Sequence, residues 1–276
     1  MMMARFSVPV LVFCLVLAPL PAGSIPAVPR IEAGYRQMYD LEFDQAHKTF
    51  QEWERQHPSD PLGPVSNAAA YLFAEFDRLK ILQSEFFVED SLFKRRPKVT
   101  PDPEVHREFD GELAKSEQLA NDILNKSPRQ PDALFAKILT FGLRADYLAL
   151  IERRNLDSLR IIKVGRDTAE QLLSIEPSYY DAYLAIGVEN YLVSLKPLPL
   201  RWVLQMSGAQ ADRDRGLQDL RLTAEKGTYL SPYARLLLAV AALRNKDRGG
   251  ARDILTRLAR EFPHNRLYTE ELARLQ

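Results

Sequence analysis

From Pro29 onward, apolar residues recur at spacings of three and four, and alternating runs of Val, Ile and Thr are absent. That period belongs to amphipathic helices, whereas a half-buried strand repeats every two residues. The chain is therefore expected to be all-α. Prolines punctuate it: four segments end alike, at His57-Pro58, Ser127-Pro128, Glu176-Pro177 and Phe262-Pro263. Proline disfavours helical backbone in the residue before it, so each pair marks a helix end.

Twelve positions before these prolines stand Ala46, Ser116, Gly165 and Ala251, all small. Eight before stand Phe50, Ala120, Ala169 and Leu255, and five before stand Trp53, Ile123, Leu172 and Leu258, all apolar. A small residue lets a preceding helix approach closely, and two apolar residues three apart share the face turned toward it. Each segment thus reads as the second helix of an α-hairpin. The first helices carry small residues in register: Gly34 and Ala239 lie twelve before Ala46 and Ala251, while Ala68 and Gly187 lie ten after Pro58 and Pro177.

The segment Pro177-Ser-Tyr-Tyr-Asp-Ala-Tyr183-Leu-Ala-Ile186-Gly187, with the Ala46-x3-Phe50 and Pro58 ending, resembles the tetratricopeptide family. The resemblance implies a right-handed superhelical solenoid of antiparallel α-hairpins, some five here, whose first helices line a concave groove. The repeats are irregular, since the four prolines are spaced 70, 49 and 86 residues apart rather than by multiples of 34. A loop at about 94–103 and an insert at about 196–208, which breaks the fifth hairpin, are expected to absorb the difference.

A second echo spans about 180–238. It runs Gly187-x3-Tyr191-x2-Ser194-Leu195-x-Pro197-x-Pro199, then Gly208-x3-Asp212-Arg213-x2-Gly216-Leu217-x2-Leu220, then Ala234-Arg-Leu-Leu-Leu238. It is similar to the eukaryotic inclusion-body-clearance family of tetratricopeptide proteins, which is associated with the mitochondrial outer membrane and lipid droplets. Ala211 stands where that family has Gly. The likeness implies architecture and not role.

The N-terminus has another design. Arg5 follows three Met and an Ala, Phe6 to Leu20 is almost unbroken apolar, and Pro21-Ala22-Gly23-Ser24 is small. These are the three regions of a secretory signal, with cleavage expected near Ala22 to Ser24; the rival is an uncleaved N-terminal anchor. A spanning helix needs about 20 apolar residues, and this shorter run contains Pro9 and Pro19. The one cysteine, Cys14, lies inside it behind Phe13, where a lipoprotein signal wants Gly, Ala or Ser. A mature domain of residues 25–276 would have no disulfide, thiolate metal site or cysteine nucleophile.

Thirty-seven basic residues balance 37 acidic ones, which removes the electrostatic footprint of a nucleic-acid binder. Hydrophobic residues at 46% and charged residues at 27% describe a globular chain rather than a disordered one. No catalytic residue, metal site or cofactor is expected. The four histidines, His47, His57, His106 and His264, are scattered. His106, Glu108 and Asp110 share a first turn that reads as solvated, and the pairs Glu85 with Glu89 and Asp90, and Glu270 with Glu271, read as wet-face charge. Gly249-Gly250 opens a helix and Ser207-Gly208 closes one. Ser231-Pro232 should cap a helix running to about Arg244, with Gly227 ending the one before. Arg213, Asp214, Arg215, Asp219 and Arg221 alternate in sign as on a salt-bridged surface.

Functionally the expectation is an exported, non-catalytic adaptor holding a protein or peptide in its groove. Nothing in the sequence fixes an oligomeric state. Concave positions one and four after the small residue are Tyr35 and Met38, Val188 and Tyr191, and Val240 and Leu243, exposed or buried between hairpins. Trp202 either anchors a partner or seals the break in the array, the latter being the expectation, and Arg201 lies beside it. Peripheral contact with anionic headgroups falls to Arg153-Arg154 or Lys94-Arg95-Arg96. The competing reading is a small-molecule carrier or enzyme with a pocket near 189–208, where Glu189, Asn190 and Arg201 would converge. A deep pocket holding a carboxylate with a displaced pKa would favour it over an open groove.

Overall fold

The computed structural model describes residues 30–83 and 98–276, with residues 88 and 95 between them. The segment 1–24, Glu85, Glu89 and Asp90, and Lys94, Arg96 and Pro97 of the expected 94–103 loop, lie outside the described residues. Among the described residues the chain is all-α, with no strand. The bounded helices are α1 (Ile31–Tyr39), α2 (Phe43–Gln56), α3 (Leu62–Leu79), α4 (Pro103–Lys126) and α5 (Pro131–Asp146), which runs into a π-helical turn at Tyr147–Ile151. Then come α6 (Asn155–Ile175), α7 (Tyr183–Ser194), α8 (Leu198–Met206), α9 (Arg213–Lys226), α10 (Ser231–Arg244), α11 (Arg248–Glu261) and α12 (Arg266–Arg274).

Helices adjacent in sequence are adjacent in space. The tightest pairs are α1 with α2, α3 with α4, α5 with α6, α7 with α9, and α10 with α11. The insert therefore falls inside the fourth pair rather than the fifth, and it is itself the helix α8, resting lightly on α7.

The four proline-marked ends are built alike. Each last helical turn is closed by the residue before the proline, whose N–H donates to the carbonyl five before that proline: His57 to Trp53, Ser127 to Ile123, Glu176 to Leu172 and Phe262 to Leu258, at 2.8–2.9 Å. The same four residues then accept the N–H three positions on, from Asp60, Gln130, Tyr179 and Asn265. Ala46, Ser116, Gly165 and Ala251, with Phe50, Ala120, Ala169 and Leu255, are all buried, as close helix approach requires. The backbones of α7 and α9 approach closely: a methyl on Gly187 would lie 2.9 Å from the Gly216 carbonyl, and one on Gly216 would lie 2.7 Å from the Tyr191 nitrogen.

The two ends of the array meet. Arg36 on α1 pairs with Glu261 on α11 at 3.0 Å and lies over the Phe262 ring. Asp40 accepts the backbone N–H of His264, and Asn265 donates to the Tyr39 carbonyl at 2.7 Å. Arg266 reaches Asp77 on α3 at 2.6 Å. Aromatic contacts join the inner helices across the middle: Tyr35 with Tyr229, Phe135 with Tyr229, and Phe73 with Tyr233, at centroid distances of 5.2, 5.8 and 5.6 Å. Most of the apolar interior is one continuous cluster running from Ile31 to Leu275.

Buried charge sits where the regular pattern is interrupted. Asp181 accepts backbone N–H groups from Thr228, Tyr229 and Leu230 at 2.8, 3.0 and 2.7 Å, fixing the turn between α9 and α10. That turn explains why Ser231 is not the expected cap. Leu230 occupies the cap position, and the Ser231 hydroxyl donates back to the Ala224 carbonyl at 2.7 Å. Arg166 and Glu189 form a buried ion pair at 2.8 Å, and Arg166 also holds the Gly208 carbonyl at 2.7 Å, tying the end of α8 to α6.

Candidate ligand cavity

The first helices of the five pairs turn their inner faces toward one another around a cavity of about 530 Å³. Tyr35 and Met38 come from α1, Val65, Ala69 and Phe73 from α3, and Ile138, Leu139, Gly142 and Leu143 from α5. Leu184, Val188, Tyr191 and Leu192 come from α7, and Tyr233, Leu237 and Val240 from α10; Ser158, Leu159 and Ile162 of α6 complete the wall. The volume lies in the range of small-molecule sites, and the lining is mostly aliphatic and aromatic, as such sites are. Asn155, Pro197 and Leu200 line the cavity and are exposed, so it opens between α6 and the start of α8.

Polar groups enter it at separate places. Asp146, the last residue of α5, accepts a hydrogen bond from the Tyr233 hydroxyl at 3.1 Å. Burial pushes its carboxyl up to about 7, against the lowering effect of that hydrogen bond. The buried Tyr191 hydroxyl has no hydrogen-bond partner within the protein. Desolvation raises its pKa, and the positive charge of Arg244, a cavity-lining residue, is the largest opposing influence. Lys196 also contributes to the lining. The Tyr35 hydroxyl is already satisfied by Ser66 at 3.0 Å. The lining therefore carries an acid bonded to a phenol at Asp146 and Tyr233, and a buried hydroxyl at Tyr191 near the charge of Arg244.

The expected site residues divide. Tyr35, Met38 and Tyr191 do face inward with Val188 and Val240, but Leu243 does not line the cavity. The surface they form is a deep, partly open cavity: Tyr35 and Met38 are buried at its floor, while Gly142, Asn155, Pro197 and Leu200 on its lining are exposed. Trp202 does not seal the break: it is 66% exposed on α8. Arg201 is half-buried at the base of α8, its guanidinium 3.4 Å from the Ser194 carbonyl. The convergence of Glu189, Asn190 and Arg201 fails. Glu189 is taken by Arg166, and Asn190 is held by Gln210 and the Asp212 N–H, outside the cavity wall.

Other charged groups correct the surface reading. Asp219 is buried, its carboxyl pushed up to about 6 by desolvation, with Arg215 at 3.9 Å. Glu271 is buried against Arg274 at 2.7 Å rather than on a wet face. His106 pairs with Asp110 at 3.2 Å and stacks on Tyr147 at 4.5 Å. Asp40, Glu42 and His264 gather at the closure, where Asp40 already accepts the His264 backbone N–H and lies 2.8 Å from its ring Nδ1.

Sequence reasoning passed over Asp146, Arg244 and Gly142. The signal was present for two of them. Asp146 ends an apolar run from Ala133, and Gly142 interrupts the middle of the same helix, where glycine is unfavourable unless space is wanted. No family model matches the chain, and no curated protein matches it.

Proposed function

We propose that this protein is a non-catalytic carrier or sensor for an amphiphilic small molecule, a long-chain carboxylate or a similar compound with an apolar body and an anionic head. The observation that carries the reading is the 530 Å³ cavity, apolar along its walls, with the Tyr191 hydroxyl buried beside it and Arg244 and Lys196 on its lining. The chain body would lie along Val65, Ile138, Leu143 and Val188, and the head would accept from the Tyr191 hydroxyl, which has no partner of its own. Asp146, a carboxyl poised near neutrality, disfavours a second negative charge at its own side and so orients the ligand.

The hairpins are proposed to be of tetratricopeptide type with a right-handed superhelix. The identical proline-marked ends and the buried small residues support this. Export is proposed from the apolar N-terminal segment and its small-residue boundary; among the described residues no helix is long and apolar enough to cross a membrane. An adaptor holding a peptide against the inner helices would have to admit it through the mouth near Asn155, Pro197 and Leu200, which suits a small molecule better.

Calorimetric titration of the full chain with oleate and with oleyl alcohol tests the carrier reading. Saturable one-to-one binding is expected for oleate, weakened several-fold for the alcohol and in Arg244→Gln. Absence of saturable binding by both compounds overturns it.

A further inference from the structure

Among the described residues, every strongly exposed large apolar side chain lies on α8 or on the neighbouring α6. Leu198, Trp202, Val203 and Met206 are 69, 66, 58 and 71% exposed. Their spacing of four, five and eight from Leu198 places them on a single face of the helix, while Leu200, on the other side, joins the cavity wall. A helix in a water-facing insert would normally turn polar residues outward. This one is apolar on its outer face and along its inner one.

We infer that α8 is a membrane-docking helix, laying Trp202, Val203 and Met206 into the surface of an anionic lipid bilayer. Composition selects this occupant. The 22 residues from Asn190 to Ala211 contain Lys196 and Arg201 and no acidic residue, in a chain whose charges otherwise balance. Basic residues beside a Trp-bearing apolar face are the pattern of an interfacial helix, with the ring at headgroup depth and the cations among the phosphates. A second copy of the chain fits less well. Four side chains of a 9-residue helix present an area well below the ~800 Å² per partner of a stable interface. The docking claim stands on the outer face of α8 and holds or falls separately from the ligand reading.

The test uses the full chain carrying Trp53→Phe, which leaves Trp202 as its sole indole, with vesicles of phosphatidylcholine and phosphatidylglycerol containing brominated acyl chains. Trp202 emission should shift to the blue and be quenched by about half. Val203→Glu with Met206→Glu should weaken partitioning at least tenfold, and vesicles lacking phosphatidylglycerol should bind several-fold more weakly. A Trp202→Phe chain, reporting from Trp53, should show no quenching. Vesicle flotation of the protein with Trp202 unquenched would mean attachment through another segment and would overturn the inference. So would a blue shift that follows protein concentration without vesicles, the sign of a second copy on α8.

Discussion

Asp40 and His264 stand 224 positions apart and are joined twice: the His264 backbone N–H donates to one Asp40 oxygen at 2.8 Å, and its ring Nδ1 lies 2.8 Å from the other. With Asn265 bonded to the Tyr39 carbonyl, this clasp turns a linear array into a closed one. Closure changes what the inner helix faces can do, because they converge on one cavity whose mouth lies between α6 and α8.

Asp40→Ala removes a carboxylate acceptor from the clasp and should cost about 1–2 kcal/mol. Its more specific signature is local. Amide hydrogen exchange should accelerate in α1 and α12 while α5 and α6 stay protected, which peptide-resolved exchange would read directly.

Asp146 gives the fold a pH dependence of known sign. Its carboxyl is raised from an ordinary value near 3.8 to about 7, so the folded state holds its proton more tightly than the unfolded one. The stability this provides is complete at acidic pH and is lost as the pH climbs from about 4 to 7. Asp146→Asn keeps an acceptor for the Tyr233 hydroxyl and should raise stability by about 1–3 kcal/mol at pH 8, with little effect at pH 4. Denaturant unfolding at the two pH values checks this.

Asp181 is also raised by burial, against the lowering effect of the backbone hydrogen bonds it accepts, and those bonds give it a structural role. Its oxygens satisfy three consecutive backbone N–H groups at 228–230. Asp181→Ala leaves those donors without partners and should destabilise by about 3 kcal/mol or more, whereas Asp181→Asn should recover part of the loss. Urea midpoints for the two variants would rank them.

Gly216 marks a backbone-to-backbone contact between α7 and α9. Gly216→Ala places a methyl 2.7 Å from the Tyr191 nitrogen, backbone that cannot swing aside, and should cost about 2 kcal/mol by forcing α7 from α9. Gly111→Ala, on an open face of α4, should instead stabilise by up to about 1 kcal/mol. Opposite shifts in melting temperature are expected.

Much of the fold was legible because proline and small residues act locally. The end marked by Pro58 follows from the backbone of His57, and the depth of Ala46 follows from its size, so both can be read without knowing the rest of the chain. The inward direction of Tyr35, Val188 and Tyr191 was legible for the same reason. Closure was not, since it depends on Asp40, Tyr39, His264 and Asn265, residues with no pattern linking them across the chain. Once the array is closed, the buried state of Met38 and the cavity follow together. Trp202 was misplaced because an aromatic in an insert was assumed to find a core, whereas α8 has only α7 beneath it to any extent. The pairing of Glu189 with Arg166 was hidden by a separation of 23 positions and a change of helix.

Gly142 offers the most direct measurement. It lies on the cavity wall in mid-helix, and a Cβ added there meets nothing within 4 Å. Gly142→Ala should leave ligand affinity unchanged within about twofold and steady the helix. Gly142→Phe should retain the fold, place its ring in the cavity and abolish oleate binding in a calorimetric titration. Equal affinity for oleate in the wild type and in folded Gly142→Phe would contradict the account, because the ligand would then bind somewhere other than inside the closed array.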